Sequence, residues 1–189
     1  MVSDFWFWVD LTQSGRDQRR LGFEGVCTTE VKEVEMSIMT VYHGGYRPVE
    51  SPRINKGRFA KDFGEGFYCT TIKEQAERWA RRNATPVVSR YEVRIAEGLD
   101  ILDFKTMTDE WLDFIVACRR GIAHSHDIVV GAMANDQIYN YIGDFIDGSL
   151  TREQFWVLMK FKYPTHQVAF CSPKALLCLK FVGSEVVNV

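Results

Sequence analysis

The spacing of apolar positions predicts a chain in which strands and helices are interspersed. Short apolar or alternating runs predict strands at residues 40–43, 66–70, 86–95, 101–104, 127–131, 167–171 and 181–187. Apolar residues at intervals of three and four predict helices that begin after residues 71, 108, 151 and 172, and one that begins at Asn135 or Asp136. Because no regular strand–helix–strand repeat is present, we expect an α+β fold with a mixed or antiparallel sheet and flanking helices.

Four of the predicted helices follow a residue suited to cap a helix N-terminus, namely Thr71, Thr108, Thr151 or Ser172. Thr71 and Glu74 have the spacing of a capping box, which stabilises a helix by about 1 kcal/mol. We expect the helix that follows to bury an apolar stripe of Ala76, Trp79 and Ala80.

Residues 1–36 show neither the two-residue period of a strand nor the 3.6-residue period of a helix, so we predict that they form an irregular extension. Residues 37–189 form the predicted domain. The codons for Lys32-Glu33-Val34 can read AAG GAG GTN, which is complementary to the 3′ end of bacterial small-subunit ribosomal RNA. We therefore hypothesise that translation starts at Met36 or Met39. The alternative is a genuine flexible or partner-binding extension.

Composition narrows the classes of protein to consider. The chain has 189 residues, of which 46% are hydrophobic, and a formal net charge of -2. The length and the hydrophobic fraction suit one well-packed domain. The small negative charge gives no overall positive electrostatic field that would attract nucleic acid or an anionic membrane. No apolar run approaches the roughly 18 residues that span a bilayer. The five cysteines include no Cys-x-x-Cys pair, so we expect buried thiols in a reducing cytoplasm.

Two short segments carry the residues best suited to bind a ligand. In the first, His43 precedes Gly44, and in the second, Gly66 precedes Tyr68. Glycines leave the backbone accessible, and an aromatic face can stack on a planar ring. A His and a Tyr on two neighbouring strands therefore suit a flat aromatic ligand attached to a sugar.

Other polar residues leave alternatives open. The basic loop residues Lys56, Arg58 and Lys61 could meet phosphates or could form a solvated loop. His124 and His126 could share one face of a strand edge, but no third ligand is evident nearby. We therefore predict no metal site.

The ordered set of motifs carries a family resemblance. Tyr42-His43-Gly44 followed by Gly66-Phe67-Tyr68-Cys69-Thr70 resembles the NAD-binding core of ADP-ribosyltransferases of the diphtheria-toxin and poly(ADP-ribose) polymerase type. Residues 40–187 more closely resemble a family of small uncharacterised bacterial proteins that is grouped with ADP-ribosyltransferase-like folds. Members of that family look like the toxin half of toxin–antitoxin pairs. The resemblance implies a split sheet, mixed or antiparallel, with flanking helices.

The resemblance also implies roles for individual residues. His43 would hydrogen-bond the adenine-side ribose, the Gly44 backbone would hold the nicotinamide carboxamide, and Tyr68 would stack on the nicotinamide ring. The remaining NAD-binding candidates are Gly66, Arg58 and Lys61.

Gln167 departs from the family pattern, which usually has Glu on this late strand. A Gln amide can accept from a ribose hydroxyl, but it carries no negative charge. It also cannot act as a general base, which typically contributes about 10²–10⁴-fold to a rate. Asp136 or Glu65 could compensate, although Asp136 also suits a helix N-cap and Glu65 a solvated loop.

The resemblance thus implies an NAD-dependent mono-ADP-ribosyltransferase whose catalytic residues are Gln167, His43 and Tyr68. It would be a cytoplasmic bacterial toxin that modifies a protein or nucleic acid and has an antitoxin partner. A non-catalytic module that binds NAD or ADP-ribose is the alternative, favoured by Gln167. A third possibility, an enzyme acting on RNA 2′-phosphates, is disfavoured because the chain lacks a strongly basic composition.

Overall fold

Two β-sheets and five helices make up the described part of the chain. The computed structural model describes residues 39–56, 61–134, 136–159 and 165–188. The strands are β1 Met39–Gly45, β2 Phe67–Cys69, β3 Val87–Val93, β4 Ile101–Asp103, β5 Ile128–Gly131, β6 Gln167–Phe170 and β7 Leu179–Val186. The helices are α1 Lys73–Ala80, α2 Asp109–Arg119, α3 Asp136–Ile146, α4 Arg152–Met159 and α5 Pro173–Leu176.

The strands form one antiparallel and one mixed sheet. The first sheet has the order β1-β3-β7 and is antiparallel throughout. The second has the order β2-β6-β5-β4, in which only the β4–β5 pair is parallel. The predicted α+β class is therefore confirmed. The extension predicted for residues 1–36 lies outside the described residues, and its boundary stays a prediction.

A short backbone bridge joins the edges of the two sheets. The Tyr42 N–H donates to the Thr70 carbonyl at 2.8 Å, and the Thr70 N–H donates to the Tyr42 carbonyl at 2.9 Å. Tyr42 belongs to β1, an edge strand of the first sheet, and Thr70 directly follows β2, an edge strand of the second sheet. The two sheets therefore meet at this point.

Two hydrophobic cores explain why β6 is apolar from Val168 to Phe170. One core lies between the sheets and includes Val168 and Phe170. The other lies between the mixed sheet and helices α2, α3 and α4, and it includes Ala169. Because both faces of β6 are covered, all four of its residues are buried. Among the described residues, no helix is long and apolar enough to cross a membrane.

Three of the four predicted helix caps are confirmed. The side chains of Thr108 and Ser172 accept hydrogen bonds from N–H groups of α2 and α5. Thr151 and Gln154 exchange hydrogen bonds in the manner of a capping box.

The cap predicted at Thr71 is wrong. The N-cap of α1 is Ile72, and no side chain caps it. The Thr71 hydroxyl instead lies 3.1 Å from the ring of His166, which removes it from the helix end. The stripe of α1 is also narrower than predicted, because Ala76 and Ala80 are buried whereas Trp79 is 42% exposed.

Gly44 lets α1 approach β1 closely. A Cβ atom added at Gly44 would lie 2.1 Å from the Ala76 carbonyl oxygen and 3.0 Å from the Ala80 nitrogen. Both neighbouring atoms belong to the backbone, so a rotamer change cannot relieve the clash. The absent side chain therefore makes room for α1, whereas the sequence had suggested that it makes room for a ligand.

We expect Gly44→Ala to lower the free energy of unfolding by about 1–3 kcal/mol or more, because overpacking usually has this cost. Urea denaturation of the purified protein measures this change. Gly143→Ala is the control, because no atom lies within 4 Å of the added Cβ and the site is inside α3. That substitution should stabilise the protein by about 0.5–1 kcal/mol. Equal midpoints for Gly44→Ala and wild type would contradict the packing argument.

Candidate functional site

A cleft of about 370 Å³ opens beside the junction of the two sheets. Its volume is within the range of small-molecule binding sites. His43, Gly44, Lys61, Tyr68 and Gln167 all line it, although they come from three separate parts of the chain. The structure thus brings together five of the residues that the sequence had singled out.

His43 connects the two sheets through its side chain. Its Nδ1 atom lies 2.7 Å from the Tyr68 carbonyl oxygen, and its ring stacks on Phe67 with a centroid separation of 4.5 Å. A carbonyl only accepts, so Nδ1 carries the hydrogen. Burial lowers the pKa of His43 below its ordinary value of 6.5, which favours the neutral ring near pH 7. Nε2 is then a hydrogen-bond acceptor.

The Tyr68 ring is fixed through its hydroxyl. The hydroxyl accepts from the Phe63 N–H at 3.1 Å and donates to the Gly64 carbonyl at 2.7 Å. Burial raises the pKa of this phenol well above its usual range, so the hydroxyl keeps its proton. The Lys61 ammonium lies 4.9 Å from the ring centroid, and burial lowers the pKa of this lysine.

Gly44 presents its backbone polar groups at the open edge of β1. Successive residues of a strand direct their N–H and C=O groups to opposite sides. Tyr42 directs both groups to Thr70, and Gly44, two residues later, directs its own to the same side. Since Gly44 also lines the cleft, its N–H and C=O are available to a ligand there.

The orientation of the Gln167 amide is determined by its neighbours. Its Nε2 atom donates to an Asp62 carboxylate oxygen at 3.3 Å and to the Ala132 carbonyl at 3.4 Å. Both partners are acceptors, so the nitrogen of the amide must face them. Both N–H groups are thereby engaged, and Oε1 is the atom available to a hydroxyl donor.

Asp62 is a cleft residue that the sequence reasoning missed. One of its oxygens accepts from Arg119 Nε at 3.2 Å and Nη2 at 2.6 Å, and the other accepts from the Ala134 N–H at 2.9 Å as well as from Gln167. The Asp62 and Arg119 side chains are only 10% and 5% exposed. The available signal was an acidic residue beside Phe63 in a glycine-rich segment, but its partner lies 57 positions away.

A second cavity of about 570 Å³ adjoins the cleft and shares His43, Lys61 and Tyr68 with it. Its wall also includes the exposed cations Arg47 and Arg53. The three shared residues therefore lie between an apolar, aromatic compartment and a more basic one.

The mouth of the cleft carries two exposed aromatic rings, of which one was predicted to be buried in the stripe of α1 and the other had no predicted role. Trp79 is 42% exposed and Tyr139 is 50% exposed, and both line the cleft. Arginine groups lie over both rings, with Arg82 at 4.4 Å from the Trp79 centroid and Arg119 at 4.1 Å from the Tyr139 centroid.

Other predicted candidates fall elsewhere. Gly66 lines the second cavity, where an added Cβ would meet the Phe170 carbonyl at 3.1 Å. Glu65 is exposed and lines neither cavity. Arg58 lies outside the described residues, and Asp136 is described by its backbone alone, at the first position of α3.

The histidine pair has other partners. His124 Nε2 donates to the Phe63 carbonyl at 3.0 Å, and His126 lies 3.0 Å from an Asp100 oxygen. Within the described ranges, no group of three or more His, Cys, Asp or Glu side chains could hold a metal ion.

Comparison with known proteins identifies a family but no activity. A family model described as "Protein of unknown function (DUF3990)" matches residues 39–181, which is more than half of the chain. A search of curated proteins finds no match to this chain.

Acidification should destabilise the protein partly through His43. Because folding lowers this pKa, the unfolded state takes up a proton that the folded state does not as pH falls below 6.5. Stability is therefore present at higher pH and lost on acidification. We expect wild type to lose more unfolding free energy than His43→Asn between about pH 8 and about pH 5.5 in urea titrations. His166, whose pKa burial also lowers, contributes equally to both proteins. Equal losses would contradict the assignment.

Proposed function

This chain belongs to the DUF3990 family, and we propose that it binds NAD in the cleft and transfers ADP-ribose to a macromolecular acceptor. The observation that carries the proposal is the pair of adjoining cavities that share His43, Tyr68 and Lys61. A ligand that spans them needs a flat ring at one end, a polar sugar in the middle and an anionic portion at the other. NAD has these parts in this order.

The aromatic compartment suits the nicotinamide half. A planar ring stacked on Tyr68 gains about 1–3 kcal/mol. The carboxamide of nicotinamide contains one acceptor and two donor hydrogens, which complement the N–H and C=O of Gly44. For the stack to form, the Lys61 ammonium must leave the face that it now covers or the ligand must take the opposite face.

The basic compartment suits the diphosphate half. Arg47, Arg53 and Lys61 line it and can form charge-assisted hydrogen bonds to phosphate oxygens. His43 Nε2, as an acceptor, suits a ribose hydroxyl between the two halves.

The proposed reaction breaks the glycosidic bond between C1′ of the ribose and the nicotinamide nitrogen. The bonding electron pair leaves with nicotinamide, which becomes neutral, and positive charge develops on the sugar. A nucleophilic atom of the acceptor then forms a bond to C1′, and its proton is released to water. Gln167 Oε1 would accept from a ribose hydroxyl and hold the sugar in position.

The two-sheet arrangement supports an ADP-ribosyltransferase-like split sheet, in which strands of both sheets border the ligand cleft. A bacterial toxin with an antitoxin partner is the biological role that we propose for such an enzyme. The neutral amide of Gln167 favours the second candidate, a module that binds NAD or ADP-ribose without catalysis.

Substitutions of Tyr68 test the binding site. We expect Tyr68→Ala to weaken NAD binding by about 5–150-fold, because it removes the stacking surface. Tyr68→Phe keeps that surface and should bind NAD within about threefold of wild type, since only the hydroxyl tether is lost. Calorimetric titration with NAD measures both values.

Tyr46→Ala is the matched control. Tyr46 also has a cationic side chain over its ring, that of Arg47 at 5.4 Å, but Tyr46 lines neither cavity. Its replacement should leave NAD affinity unchanged. Wild-type affinity in Tyr68→Ala would refute the proposed site.

Transfer is tested with NAD labelled in the adenosine portion and added to a bacterial lysate together with the purified protein. We expect the label to remain on a macromolecule after denaturation and free nicotinamide to appear in equal amount. Digestion with protease or nuclease then identifies the class of acceptor. Saturable NAD binding without label transfer or nicotinamide release would favour the binding module instead.

A further inference from the structure

We propose that Asp62 is a positioning residue that supplies, through Gln167, the negative charge that a glutamate at position 167 would otherwise provide. This inference rests on the proposed function, because it concerns the sugar cation that forms when the glycosidic bond of NAD breaks. It assigns the charge to a residue in a different segment of the chain, the loop before β2.

Asp62 acts through Gln167 because its own oxygens are fully engaged. Four N–H groups, from Arg119, Ala134 and Gln167, donate to the two carboxylate oxygens. A carboxylate with this number of donors has little remaining capacity to accept a further hydrogen bond. Asp62 is therefore not free to contact the substrate itself, but it holds the Gln167 amide in one orientation.

The ion pair presents its negative end to the cleft. Asp62 is among the residues that line the cleft, whereas its partner Arg119 is not. The guanidinium makes two further contacts, both with Tyr139: a 3.0 Å hydrogen bond from Nη1 to its carbonyl and a cation–π contact with its ring. In this arrangement a cation that develops beside Asp62 meets the carboxylate at the cleft wall, and at low dielectric a nearby negative charge stabilises the cation.

The amide transmits part of this charge to its oxygen. When a carboxylate accepts from an amide N–H, the amide polarises and its carbonyl becomes a stronger acceptor. Gln167 Oε1 then binds a ribose hydroxyl more strongly as positive charge grows on the sugar. Such an interaction strengthens in the transition state and accelerates the chemical step rather than binding.

The same geometry explains why glutamine suits position 167 here. Gln167 Nε2 and the Asp62 oxygen are 3.3 Å apart, so Glu in place of Gln would put two carboxylates in contact. Repulsion between two negative charges at this distance would force one of the carboxylates to take up a proton. Glutamate at position 167 would therefore not add a second negative charge.

The test exchanges the carboxylate and the amide between the two positions. Nicotinamide release and NAD affinity are measured for wild type, Asp62→Asn, Gln167→Glu and the double variant. We expect Asp62→Asn to lower kcat about 10–100-fold and to keep the NAD Kd within about threefold. Gln167→Glu alone should also lower kcat. The double variant restores a donor–acceptor pair with one negative charge, so its kcat should exceed that of Gln167→Glu at least about tenfold.

Two controls separate this role from folding. Asp113→Asn breaks an exposed Asp–Arg pair with Arg152 away from the cleft and should leave kcat unchanged. Asp62→Asn leaves the Arg119 guanidinium buried without its carboxylate, which destabilises the fold. If this single variant does not fold, the double variant Asp62→Asn/Arg119→Gln, which removes both charges, is measured in its place. The same loss of kcat is expected.

Two results would overturn the inference. Wild-type kcat in a folded Asp62 variant, with NAD still bound, removes the role of Asp62 but leaves the proposed function intact. A wild-type protein that neither binds NAD nor releases nicotinamide removes both. Because NAD affinity is measured on wild type first, the two failures are distinguished.

Discussion

The hydrogen bond from His43 to the Tyr68 carbonyl determines where the two sheets separate. At Tyr42 and Thr70 the sheet edges are joined by an antiparallel backbone pair, and the same register continued would bring Gly44 opposite Tyr68. The Tyr68 carbonyl, however, accepts from the His43 ring at 2.7 Å. The imidazole thus takes the place of the next backbone pair, and the Gly44 edge is left to the cleft. One side chain both joins the sheets and ends their pairing.

Much of the fold was predictable from the sequence because it depends on local periodicity and local polar chemistry. The strands and helices lie near their predicted positions, and the caps at Thr108, Thr151 and Ser172 form as their residue types indicate. The cap predicted at Thr71 does not form because His166, which is distant in sequence, contacts the Thr71 hydroxyl. Local rules hold until a tertiary partner competes for the same group.

The site was only half predictable for a related reason. His43, Gly44 and Tyr68 each have a glycine within two residues and lie on predicted strands, so short-range patterns identify them. Asp62 also lies near a glycine, Gly64, but its sequence neighbours do not show which groups it binds. Its importance depends on Arg119 and Gln167, which are brought to it by the packing of α2 and by the position of β6. Buried charge pairs of this kind are invisible until the fold is known.

The fixed ring of Tyr68 has a consequence for the rate at which a ligand dissociates. A free tyrosine loses side-chain rotational entropy when a ligand immobilises it, and that loss weakens binding. Here the hydroxyl is already held between the Phe63 N–H and the Gly64 carbonyl, so this entropy is lost during folding. The stacking surface is preorganised. A planar ligand that stacks on this ring therefore does not have to immobilise it, and its residence time in the cleft is correspondingly longer.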